Sequence, residues 1–191
     1  MGSPGWLDVR TVGVFPGLTW GVRSPERTVS LPCDVLCSRA VQADRAIHIA
    51  APPRIVFSWL CQLRVAPYSY DILDNLGRRS PRQRNPELVR LRVGQRFMTL
   101  FVLRSFVDGE QITLRCRGVA VTYAVRPEGS GSRLHARVLF EGPRLLAHAL
   151  ALGDLVMMRK QLLTLKSLAE HEAVKSLGLQ LFPSARQRDG H

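Results

Sequence analysis

Hydrophobic and polar positions along this chain follow two periods, and the changes between them mark out its elements. Ala46-Ile47-His48-Ile49-Ala50 alternates, which puts Ile47 and Ile49 on one face of a strand and His48 on the other. Pro52-Pro53 ends that strand and suits the first turn of a helix. Ile55, Val56, Trp59, Leu60 and Leu63 follow at helical spacing as one apolar stripe. A second short helix is expected over residues 70–76, capped by Ser69, with Asp71 at the positive end of its dipole and Gly77 closing it. After a polar loop, residues 96–103 are dense in strand formers, and Asp108-Gly109 has the chemistry of a hairpin turn. Alternation then places Ile112, Leu114 and Cys116 on one face, followed by Val119, Val121, Tyr123 and Val125. Beyond a Gly/Ser turn at 128–132, Leu134, Ala136, Val138 and Phe140 form the apolar side of another strand. The expected product is an antiparallel meander with one buried face.

The C-terminal third changes to helical period. Leu152, Leu155, Met158, Leu162, Leu165 and Ala169 recur at three- and four-residue steps, a stripe of about five turns. Gly153-Asp154 is expected to kink this helix or to cap a fresh one, leaving 143–152 as a separate short helix. Gly178 and Pro183 end the ordered part, and 176–191 is expected to be a mobile basic tail. Residues 1–40, rich in Gly, Pro and Ser, show no sustained period. They read as an irregular extension packing through Trp6, Phe15 and Trp20, which leaves 41–175 as the domain.

Strand, two short helices, antiparallel meander and one long C-terminal helix is the order of an α+β helix-grip fold, a curved antiparallel sheet wrapped around the last helix. The segment RAIHIAAPPRIVFSWLCQL resembles the opening of SRPBCC proteins, the superfamily of START lipid-transfer domains and polyketide cyclases. YSYDILDNLGRRSP and GDLVMMRKQLLTLKSLAE resemble a bacterial branch of polyketide cyclase-like proteins, and the likeness covers roughly residues 41–173. The resemblance implies a pocket between the concave sheet and the long helix. It carries over no catalytic residue, because this fold hosts carriers, cyclases and sensors alike.

Composition narrows the chemistry. Hydrophobic residues at 46% and charged residues at 22% suit a globular chain rather than a disordered one. No run of about 18 apolar residues appears, so no transmembrane segment is expected. Residues 9–22 are mildly apolar but broken by Gly13, Pro16, Gly17 and Gly21, and do not read as a signal peptide. Cys33, Cys37, Cys61 and Cys116 have neither metal nor redox-motif spacing. Cys61 and Cys116 sit in apolar segments as small hydrophobes, and a reducing cytoplasm suits all four. No histidine pair has metal spacing, no G-x-S-x-G elbow appears, and no nucleotide-binding glycine motif occurs, so neither a metal nor another cofactor is expected.

The net charge of +12 comes almost wholly from arginine, since Lys160, Lys166 and Lys175 are the only lysines. Strand parity sends Arg115, Arg117, Arg126, Arg133, Arg137, His48 and His135 to the outer face of the sheet. A solvated face explains them, and weak contact with anionic surfaces is the sharper alternative. No aromatic residues interleave these arginines, so specific nucleic-acid binding is not expected. His148 continues the apolar stripe of the last helix.

Function then divides three ways. The first reading is binding or transport of a hydrophobic small molecule, lipid or polyketide-like, in an internal pocket of roughly 300–1,000 Å³. Leu114, Tyr123, Val138, Leu155, Met158 and Leu162 would line it, with Tyr70, Asn75 and Arg79 at its mouth. Local caps explain Asp71, Asp74 and Arg78 equally well. The alternative is an aromatase/cyclase-like enzyme in which Tyr70 or Arg79 polarises a carbonyl. The third is a basic interaction module using the outer sheet face.

Overall fold

A computed structural model describes residues 17–68 and 81–181. The helix expected over 70–76, the residues Tyr70, Asn75 and Arg79, and the last ten residues of the tail lie outside the described residues. The chain opens with β1 (Thr19–Trp20), a short helix α1 (Ser24–Thr28) and a 3-10 turn (Asp34–Leu36). It continues with β2 (Ala40–Ile49) and α2 (Pro53–Cys61), then β3 (Arg96–Phe97) and β4 (Phe101–Val107). The strands β5 (Gln111–Cys116), β6 (Val119–Glu128) and β7 (Gly131–Glu141) lead into the long helix α3 (Arg144–Leu181).

These strands form one sheet in the order β1-β2-β7-β6-β5-β4-β3. The meander closes on its own beginning, because β2 pairs along its whole length with β7. The helix α3 then lies over the inner face, packed against β2, β7 and α2. This is the helix-grip arrangement. The sheet is mixed rather than wholly antiparallel, because β1 adds to its edge parallel to β2.

Alternation sets which residues face the helix. Leu114, Val121, Tyr123, Val125, Leu134, Ala136 and Val138 all lie in the core beneath α2 and α3, as their parity predicts. The turns also fall where glycine allows them, at Gly109, Gly118 and Gly129, each with positive φ. Residues 96–103, expected as strand throughout, instead reverse direction. Phe97 pairs with Phe101 across a tight turn in which Met98 and Thr99 take left-handed conformations. The Met98 amide donates to Leu63 O, which fixes this turn to the end of α2.

Three expectations for the last helix need correcting, the first being its end: it continues through Gly178 to Leu181, past the expected start of the tail at 176. Gly153-Asp154 does not start a fresh helix and 143–152 is not a separate one; α3 runs unbroken through both residues. The buried stripe is also rotated from the leucine pattern. It runs through Ala147, Ala151, Met158, Leu162, Leu165 and Ala169, while Leu152 is half-exposed and Leu155 borders a surface groove. Small side chains at 147 and 151 let the helix approach β2 closely, and Leu152, one residue on from Ala151, turns outward. Each fully buried leucine of the stripe contributes about 1.5–3 kcal/mol relative to exposure.

After β1 at the sheet's edge, residues 21–39 lie across the outer face of the sheet and build a second, smaller core there. Leu31, Cys33 and Cys37 pack on Ala120, Ala124 and Leu139. The Cys33 amide donates to Thr122 Oγ1 at 3.0 Å. Gly21 crosses β2 with positive φ, and a Cβ there would stand 2.2 Å from Ala46 O, so only glycine fits.

This cover corrects the expected cationic face. Arg137 is 2% exposed and uses all five of its N–H groups. It donates to Asp44 and Asp34 and to the carbonyls of Glu26, Arg27 and Val29. Arg133 is held by Glu26 at 2.7 Å, and Arg115 by Glu141 at 2.9 Å and by Leu36 O. Their charges are spent on this chain's own acids and carbonyls. Of the five arginines expected on that face, only Arg117 and Arg126 are exposed.

Candidate functional site

The inner face carries polar residues that an apolar core does not need. Strand parity running back from Ile49 and Ile47 puts Arg45 on the same inward side of β2, where it is fully buried. Arg45 pairs across the sheet with Ala136, Ala136 with Tyr123, and Tyr123 with Ile112. Arg45 and Tyr123 therefore share one cross-strand row, with a methyl side chain between them. At about 4.8 Å per strand their backbones stand about 10 Å apart, and both long side chains rise toward α3.

The helix answers each with a partner. Asp154 and Gln161 are seven residues apart, two helical turns, and so lie on one side of α3. Asp154 Oδ2 accepts from Arg45 Nη2 at 3.3 Å. The same guanidinium donates to Gly17 O, Ala151 O and Asp44 O. Its Nε has no hydrogen-bond partner among the described residues. Tyr123 donates to Gln161 Oε1 at 2.6 Å, and Gln161 Nε2 donates to Pro67 O at 2.6 Å with Met98 Sδ at 3.5 Å. The glutamine thus ties the sheet to the end of the α2 region and to the tight turn after β3.

Burial governs the ionisation of these groups. It pushes the Asp154 carboxyl up to about 6, against the opposing charge of Arg45. The arginine is shared among three carbonyls and reaches Asp154 by one contact, so its charge does not restore the ordinary value. Burial also pushes the Tyr123 hydroxyl far up, helped by the Asp154 charge, so the phenol stays neutral and donates. Next to this row, Trp59 meets the Tyr68 ring edge-on at 6.1 Å, and the Trp59 indole N–H has no hydrogen-bond acceptor among the described residues.

Leu114, Tyr123, Val138, Met158 and Leu162 all belong to the core between sheet and helix, whereas Leu155 does not. Arg45, Asp154 and Gln161 were not singled out from sequence. Arg45 was legible by extending the β2 alternation two residues back. Asp154 was misassigned as a helix breaker, and Gln161 had no signal beyond its place beside Leu162.

His48 points outward, as parity requires, and binds Glu128 at 2.7 Å. His135 also lies on the outer face, but is buried there against Asp44 at 3.0 Å. His148 caps back onto Arg144 O at 2.7 Å. Cys33, Cys37 and Cys61 are buried thiols and Cys116 is half-buried; burial pushes Cys61 up to about 12 and Cys33 up to about 11. No group of three His, Cys, Asp or Glu side chains suited to a metal ion occurs among the described residues. None of the described helices is long and apolar enough to cross a membrane.

No family model matches this chain, and neither does any curated protein. Similar solved structures include the protein SSP2350 from Staphylococcus saprophyticus, at 13% identity and a TM-score of 0.49 over 69% of this chain and 93% of that one. An AHSA1-like protein from Rhizobium etli is 18% identical, with a TM-score of 0.44 over 69% and 83%. The di-domain ARO/CYC StfQ from the steffimycin biosynthetic pathway is 12% identical, with a TM-score of 0.43 over 73% and 52%.

Proposed function

We propose that this chain binds a hydrophobic small molecule between the concave face of its sheet and α3, as its resemblance to SRPBCC proteins implies. The observation that carries the reading is the Tyr123–Gln161 pair, a satisfied polar group held inside an otherwise aliphatic layer of Leu114, Val138 and Leu162. Buried polar pairs cost desolvation, and a ligand-orienting group is a use that offsets the cost. Met98 and Met158 flank this layer, and their flexible thioethers repack around ligands of different shape. Tyr70, Asn75 and Arg79 stay the candidates for its mouth.

Thermal-shift measurements against fatty acids, sterols and aromatic polyketides test the proposal. A ligand at a hundred times its dissociation constant stabilises the native state by about 2.7 kcal/mol, which raises the midpoint of a chain this size by roughly 5–11 °C. Leu162→Trp fills the layer and abolishes that shift while the apo protein still melts cooperatively. No shift with any of the three classes refutes the proposal.

One observation favours a second reading, a cyclase-like enzyme. Asp154, on α3 against Arg45, is pushed up by burial to about 6, which would suit a general acid or base near neutral pH. Conversion of a poly-β-ketone mimic, lost in Asp154→Asn, would move the reading from carrier to enzyme.

A further inference from the structure

We propose that the solvent face of the first half of α3 docks on an anionic bilayer surface. The inference concerns the outside of the helix and does not depend on the internal pocket. Over residues 145–163 the helix is apolar on two sides. One is the core stripe. On the opposite side Leu145, Leu152, Val156 and Leu163 recur at steps of seven and four, which keeps them in line along the axis. Leu145 is 84% exposed, Leu152 and Val156 about half. Leu146, Leu150 and Met157 are exposed as well and form a second line about a third of a turn around the helix. At Gly153, between the two lines, a Cβ would meet nothing within 4 Å among the described residues, while Leu152 at the strip's edge lies against Gly17. Single exposed leucines are ordinary, but two lines of large apolar residues, seven in all, on the solvent side of one helix mark an interaction surface.

Charge selects the occupant. Between 144 and 163 the exposed charges are Arg144, Arg159 and Lys160, all cationic, because the lone acid, Asp154, is turned inward to Arg45. At the start of the helix, Arg39 and Arg144 border a groove of about 380 Å³ beside Leu145. A second copy laid on this strip would bring cation against cation. An anionic bilayer complements both parts: the leucines enter the headgroup–acyl boundary, and the arginines reach lipid phosphates.

Co-sedimentation of the full chain with vesicles tests the proposal. Vesicles of equal phosphatidylcholine and phosphatidylglycerol should carry the protein down, and phosphatidylcholine alone should not. Arg39→Gln with Arg144→Gln should weaken binding on the order of thirtyfold, at about fivefold per charge removed. Leu145→Ser with Val156→Ser should abolish binding while the melting midpoint holds, since both side chains are exposed. Absence of binding to the anionic vesicles overturns the proposal, as does equal binding to both compositions. A concentration-dependent dimer in sedimentation velocity that Leu145→Ser with Val156→Ser dissociates would assign the strip to a second copy, and equally overturns it.

Discussion

Replacing Arg137 with methionine keeps most of the stem and removes the guanidinium that fastens residues 26–34 to the sheet. Five hydrogen bonds go with it: two to the carboxylates of Asp44 and Asp34, three to main-chain carbonyls. Asp44 is fully buried and keeps only His135 and Gln42 within hydrogen-bond distance. Removing one partner of a buried ion pair costs about 3–5 kcal/mol, because the other charge stays behind without it. The three carbonyls belong to a surface-laid segment that can lift into water, so they limit rather than multiply the loss. The variant should therefore lose about 3–5 kcal/mol in urea unfolding, and amides of residues 29–37 should lose hydrogen-exchange protection before those of β6 and β7. Arg137→Lys keeps the charge but has three donors where five acceptors wait, and should recover only part of the loss. A cost below about 1 kcal/mol, the range of exposed pairs, with unchanged exchange at 29–37, would refute the clamp and return Arg137 to the cationic face expected from parity.

Two further outcomes test the inner face and the helix that covers it. Burial raises Asp154 above its unfolded value, so the folded state takes up a proton as pH falls from about 7 toward 5 and gains about 1 kcal/mol of stability over that window. Asp154→Asn should flatten that slope, and equal slopes in both proteins over this window would contradict the burial of the carboxylate. Gly153→Ala should stabilise by about 1 kcal/mol and raise the midpoint by about 2–4 °C, because the residue is mid-helix with open space at its Cβ; a lower midpoint would indicate the break expected from sequence.

The inner face of the sheet was legible because alternation is a local property. Leu114, Tyr123, Ala136 and Val138 could be assigned without knowing which strands are neighbours. The cover on the outer face was not legible, since it depends on pairing at long separation. Nothing around Asp34 or Val29 in sequence says that both meet Arg137. Arginines counted as a solvated surface were anchors for a segment that has no period of its own. The rotation of α3 was hidden for a different reason. Leucine content marks both sides of the helix over 145–163, so its true core stripe is told apart by Ala147, Ala151 and Asp154, residues with little hydrophobic signal.

Asp44 and Arg45 join the two faces. They are consecutive in β2, both fully buried, and alternation sends them to opposite sides of the sheet. Asp44 gathers His135, Arg137 and Gln42 beneath the N-terminal segment; burial raises its carboxyl, but these bonds outweigh burial and hold it below the ordinary range. Arg45 gathers Gly17 O from that segment and Ala151 O and Asp154 from α3. The segment crossing the outer face and the helix on the inner face are therefore tied to adjacent residues of one strand. Gly17 also lies against Leu152, so the segment touches the helix directly. A shift of α3 large enough to open the inner layer must break Arg45 from Ala151 or carry the start of β1 with it. Access to the core is thus coupled to residues 17–39, which makes that cover a working part of the fold.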